Sequence, residues 1–202
     1  MIRFIIVFFL IASSLTAKGQ EYNTAFHIGW NTLVPFSDKD FTGGTSTAGI
    51  RVGYSKFVGE RFGFGFEGGY STMDDYVPPT TYEYPDGAIT TDIYNYLYYF
   101  TLMANGHYYL SQGKRFISYA SLGMGVSFSE YKIFYNVYQE NDQNTGFVIR
   151  PEIGTLFKVK ENSGFGLKAA LGLDYATNKS DYFETKNFSG LNFQLGLVLL
   201  SR

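Results

Sequence analysis

The stretch Phe62-Gly63-Phe64-Gly65-Phe66-Glu67-Gly68-Gly69-Tyr70-Ser71 limits what this chain can fold into more than any other. Its bulky apolar side chains, Phe62, Phe64, Phe66 and Tyr70, fall on even positions, while Gly63, Gly65, Glu67, Gly69 and Ser71 fall on odd ones. Period two is the signature of a β-strand, whose successive side chains point to opposite faces. One face of this strand suits hydrocarbon; the other offers space and hydrogen bonds.

Seven further segments repeat the pattern. Tyr22 to Val34 sets Phe26, Ile28 and Trp30 against His27, Gly29 and Asn31, and Ser46 to Phe57 sets Ala48, Ile50, Val52 and Tyr54 against Gly49, Arg51, Gly53 and Ser55. Ile93 to Leu110 is the most aromatic, with Tyr94, Tyr96, Tyr98, Phe100, Leu102 and Tyr108 on one face and Asn95, Thr101, Asn105 and His107 on the other. Phe116 to Phe128 follows. The sixth segment opposes Phe147, Ile149, Ile153 and Phe157 to Arg150, Glu152 and Lys158, and its Pro151, which has no N–H for a ladder, predicts a bulge or a strained pairing. The last two segments carry Phe165, Leu167, Ala169, Leu171, Leu173 and Tyr175, then Leu191, Phe193, Leu195, Leu197 and Leu199. Between strands, Met73 to Asp92 contains Pro78, Pro79, Pro85 and Asp86-Gly87 and reads as a long exposed loop without regular pairing. Ser129 to Thr145 reads as a second polar connection.

Long and short connections alternate along the chain. That rhythm predicts an all-β fold, an eight-stranded antiparallel up-and-down barrel with both termini at one end. The interior of eight strands is only just wide enough to be filled by side chains, and roughly forty bulky residues would overfill it. The Gly-, Ser- and Ala-rich face therefore belongs inside and the Phe, Tyr and Leu face against lipid, making the chain a transmembrane β-barrel. Two aromatic girdles are expected at its rims: Phe57, Phe62, Tyr108, Phe116, Phe157 and Phe165 beside the short turns, and Trp30, Tyr70, Tyr94, Phe128, Phe147 and Tyr175 towards the long connections.

The first residues fit this destination. Met1 and Arg3 precede an apolar run from Phe4 to Ala12 and then small and polar residues, the layout of a secretory signal peptide, with small residues at Ala17 and Gly19 suited to cleavage. The expected organisation is a signal peptide at 1–19 and a barrel domain at 20–202. There is no cysteine, hence no disulfide and no lipid-anchor thiol. Without Arg3 and Lys18, 14 basic residues stand against 18 acidic ones, and nothing points to nucleic acid.

The signal peptide, the eight Gly-rich alternating strands and the apolar last strand resemble the small outer-membrane barrels of Gram-negative bacteria, of the OmpA-domain, OmpX and PorT-like kind. The resemblance covers essentially all of Gln20 to Arg202. It implies a monomer in outer-membrane lipid, reached by export and signal-peptide cleavage. It implies a structural or interaction role, with an extracellular or membrane protein partner met through the long loops. Three alternatives belong to the same scaffold: a porin-like passive pore for small solutes, an accessory barrel of a protein-secretion apparatus, and a lipid-modifying enzyme.

No catalytic, cofactor or metal site is legible in the residues. Gly63, Gly65 and Gly68 match a dinucleotide fingerprint only literally, because they lie inside a strand and open no helix, and they are expected to line the barrel. His27 and His107 read as satisfied lumen polars on strands that are not neighbours, and the acids Asp38, Asp40, Asp74, Asp75, Glu83, Asp86 and Asp92 as a solvated surface. Asn178-Lys179-Ser180 and Asn187-Phe188-Ser189 have glycosylation spacing, which means little in a bacterial barrel. The inward face carries three charges of each sign: Arg51, Arg150 and Lys168 against Glu67, Glu152 and Asp174. Pairing Val52 near Phe66 would put Arg51 opposite or diagonal to Glu67. Arg150 and Glu152 would face Lys168 and Asp174 across one ladder, and the whole network would plug the lumen.

Overall fold

A computed structural model describes residues 22–202 except 38, 43, 86, 184 and 186, so the expected signal peptide lies outside the described residues. Eight strands, β1 (Thr24–Pro35), β2 (Ser46–Val58), β3 (Phe62–Tyr84), β4 (Gly87–Gln112), β5 (Phe116–Tyr135), β6 (Tyr138–Lys158), β7 (Phe165–Ala176) and β8 (Phe188–Ser201), follow one another around a closed antiparallel ring. A single helical turn, α1 (Lys39–Thr42), interrupts the first long connection. The ring closes where β8 pairs β1, from Thr24 opposite Ser201 to Pro35 opposite Gly190. Closure leaves no sheet edge within the barrel wall, as a strand protein in lipid requires. The start of β1, the end of β8 and the three short turns, 59–61, 113–115 and 159–164, share one end, where the Asn23 N–H donates to the Ser201 carbonyl at 2.7 Å and the Tyr22 hydroxyl to that of Ser163 at 3.0 Å.

The period-two reading of the faces holds. Phe66, Leu102, Met124, Leu171 and Leu195 point outward, Phe66 with 66% of its surface uncovered. An apolar belt of this extent around the whole wall is suited to hydrocarbon. Phe57 is an exception to the predicted lower girdle: it turns inward and stacks on Tyr109 with ring centroids 4.6 Å apart. In the upper girdle β4 contributes Phe100, which lies directly across the ladders from Tyr70 and Phe128, while Tyr94 stands six residues further out. Of the three fingerprint glycines, Gly63 and Gly65 line the lumen, but Gly68 lies between the lipid-facing Val52 and Leu102.

The two long polar connections are not loops. β3 and β4 pair on to Tyr84 and Gly87, and Pro78 and Pro79 are absorbed in a bulge between the pairs Val77–Ile93 and Thr80–Thr91. β5 and β6 pair to Tyr135 and Tyr138 around a tight turn in which Asn136 adopts φ 52°. Prolines and polar residues are tolerated there because an extra-membrane strand need not bury either face or satisfy every backbone group internally. Pro151 makes no bulge: β5 pairs it with Leu122 in register, and towards β7 the ladder is interrupted between Ile149 and Glu152 without a shift.

β2 leaves β3 at Thr72 and β7 leaves β6 at Val148. Beyond those points β3 to β6 continue as a four-stranded sheet standing out from the end opposite the termini. Residues 73–84 of β3 alone amount to about 40 Å of strand at about 3.3 Å per residue.

Candidate functional site

The lumen is filled in three layers. Nearest the termini, Ala25, Phe57, Tyr109, Ile117, Leu156 and Val198 form one apolar cluster, and towards the far end Leu33, Met73, Leu97, Tyr99, Tyr131 and Phe188 form another, with Phe41 of α1 and Phe183 packed on it. Along β1, β6 and β8, His27, Asn31, Arg150, Glu152, Asn192 and Gln194 fall between the two, while Lys158 lies below, its ammonium 5.0 Å from the centre of the Tyr22 ring. The Gly- and Ser-rich lumen expected from the sequence is thus confined to the middle. Near the ends the strands are apolar on both faces, so alternation carries no signal there.

All six predicted lumen charges meet in the middle layer. Glu67 is the hub: its Oε1 accepts from the Arg51 guanidinium at 2.6 Å and from Arg150 Nη1 at 2.9 Å, and its Oε2 lies 3.1 Å from His27 Nε2 and 3.6 Å from Lys168 Nζ. Arg51 also reaches Glu152 at 2.6 Å. Arg150 forks onto both carboxylate oxygens of Asp174, through Nε and through Nη2, the latter at 2.6 Å. Lys168 Nζ stands 3.7 Å from Glu152. Three cations face three carboxylates, all with their side chains buried. Such charges are tolerated only when each is paired and hydrogen-bonded.

The pairing differs from a ladder-by-ladder expectation. Val52 pairs with Gly68, two residues from Phe66, which puts Arg51 opposite Gly69 and diagonal to Glu67, one of the two expected arrangements. Lys168 pairs with Leu156 on the ladder, yet its ammonium meets Glu152 and Glu67. The contacts that knit the layer together, Arg51 to Glu152 and Arg150 to Glu67, cross the lumen between strands that are not neighbours. Glycines make room for both guanidiniums: a Cβ on Gly69 would stand 3.2 Å from Arg51 Cγ, and one on Gly172 3.2 Å from Arg150 Cγ.

Three network members were not singled out for it by sequence. His27 Nε2 stands 3.1 Å from both Glu67 Oε2 and Lys168 Nζ, donating to the first when it carries the proton and accepting from the second when it does not; Tyr119 donates to Glu152 Oε1 at 2.8 Å; and the Asn192 side-chain carbonyl accepts from Arg51 Nη1 at 2.9 Å. Their inward parity is the only available signal, shared with many residues that take no part. His107 lies against the rings of Tyr109 and Tyr119. Asn178, of one glycosylation-like triplet, is buried and its amide donates to Ser127, Ser129 and Asn144.

Among solved structures, Ail, the attachment invasion locus protein of Yersinia pestis, superposes with a TM-score of 0.55 at 14% identity, over 90% of this chain and 99% of Ail. This chain has the fold of the small outer-membrane β-barrels. A second Ail structure, in complex with the heparin analogue sucrose octasulfate, gives 0.54 at 13% identity over 90% and 99% of the two chains. Neisserial surface protein A gives 0.47 at 13%, over 89% and 97%. No family model and no curated protein matches the sequence. At these identities the likeness concerns the outer-membrane barrel fold, and a fold hosts many functions.

Proposed function

We propose that the protein is a sealed, monomeric outer-membrane barrel that acts by presenting its projecting β3–β6 sheet at the cell surface, as a non-enzymatic interaction protein. One observation carries this reading: the lumen is occupied along its length by an apolar layer, a closed charge network and a second apolar layer. A water-filled path would need to cross all three. The histidines support a non-catalytic lumen, since His27 is engaged by Glu67 and Lys168, and His107 is packed among aromatic rings. Export with removal of residues 1–19, an orientation with the long connections outward, and a structural role for the six lumen charges all belong to the same reading.

The test is conductance. Purified protein reconstituted into planar bilayers is expected to give no steady channels, and stable unitary currents would promote the passive pore over the sealed barrel.

A further inference from the structure

The projecting sheet has an inward side continuous with the lumen face. On β4 and β5 odd residues point inward, and on β6 even ones do, so Ile89, Ile93, Ile133, Tyr135 and Glu140 extend that face above the barrel mouth. The bulge at Pro78-Pro79 shifts β3 by one residue and brings Tyr82 onto the same side, opposite Ile89. Bulges re-aim side chains in this way. Together these residues line a cavity of about 630 Å³, within the size range of small-molecule sites. Two residues below Ile133 on the same face, Tyr131 packs against Phe41 with ring centroids 5.2 Å apart, so the space stops above the sealed lumen.

A solvated sheet face outside a membrane has no need of three isoleucines around one carboxylate. Glu140 accepts from the Tyr135 hydroxyl on Oε1 and the Tyr182 hydroxyl on Oε2, each at 2.7 Å. Those two donors hold its carboxyl below the usual carboxylate range, so it is an anion at neutral pH. Each oxygen keeps a further lone pair, and among the described residues no lysine or arginine is paired with it.

We propose that this cavity binds a small amphipathic cation, its apolar body against Ile89, Ile93 and Ile133 and its ammonium or guanidinium group at Glu140 beside the Tyr135 ring. Charge at the rim selects the head, and the neighbouring aromatic ring adds a cation–π contribution. The isoleucines select the body. The proposal rests on the reading of this sheet as the exposed working part of the protein.

The test uses the full barrel in phosphatidylcholine nanodiscs, with empty nanodiscs to subtract partitioning into lipid. Isoleucine methyl resonances are followed on titration with 4-phenylbutylamine, the neutral 4-phenylbutanol and the anionic 4-phenylbutyrate. Saturable shifts at Ile89, Ile93 and Ile133 are expected with the amine, binding at least tenfold weaker with the alcohol, and none with the carboxylate. Glu140→Gln should bring the amine down to the alcohol, while Ile133→Ala should weaken both. Equal affinity for amine and alcohol, an unaltered amine affinity in Glu140→Gln, or no saturable shift would overturn the site. The sealed-barrel reading fails separately, by conductance in bilayers.

Discussion

Replacing Glu67 by alanine should be among the most damaging single changes available in the lumen. The carboxylate touches Arg51, Arg150, His27 and Lys168. Without it, three cations face only Glu152 and Asp174. Removing one partner of a buried ion pair costs about 3–5 kcal/mol, because the surviving charge keeps its desolvation penalty and loses its compensation. The double replacement Arg51→Met with Glu67→Leu removes one charge of each sign, leaving Arg150 with Asp174 and Lys168 with Glu152. An apolar pair of similar volume is often neutral or even stabilising against a buried ion pair, so the double variant should lie well above the single one in stability. Reversible urea unfolding from lipid vesicles measures both, followed through the chain's single tryptophan, Trp30, which sits on the outward face. A loss below about 1 kcal/mol in Glu67→Ala, or an equal loss in the double variant, would refute the compensated-network argument.

Further expectations follow from the faces and the layers. Leu171→Arg puts a basic side chain on the outward apolar belt beside Ile153 and Phe193, and should cost about 2–4 kcal/mol of folding into vesicles where Leu171→Ile costs little. Equal folding yields of the two would mean that this face does not meet lipid. The absence of native cysteine makes orientation easy to read. A membrane-impermeant maleimide should label Thr81→Cys on intact cells and Lys160→Cys only after permeabilisation, and the reverse pattern would invert the barrel. Both Glu67 variants should remain non-conducting in planar bilayers, since the apolar layers above and below are untouched; steady channels in either would assign the seal to the charges alone. Proteinase K acting on protein in vesicles should leave 73–77 uncut, because those β3 residues are paired with β4; early cleavage there would contradict the continued hairpin.

Alternation of side chains was enough to determine strand number, strand order, the outward face and the six charges that meet in the middle of the lumen. It works because a strand in lipid has two environments with opposite demands, and each residue declares which one it suits. The same signal is silent wherever that opposition disappears. Outside the bilayer neither face of β3 to β6 must be apolar, so 73–92 and 129–145 look like loops although they pair as hairpins. At the barrel ends both faces are bulky, so Phe57, Tyr99, Tyr109 and Tyr119 could not be assigned to the lumen by composition. The partners of the charges were legible only in part. Adjacent strands predict Arg51 near Glu67 and Arg150 near Asp174, but the meeting of Arg51 with Glu152 and of Arg150 with Glu67 depends on closing the ring. Only then do strands several places apart in the chain face each other across an interior narrow enough for one carboxylate to serve two guanidiniums.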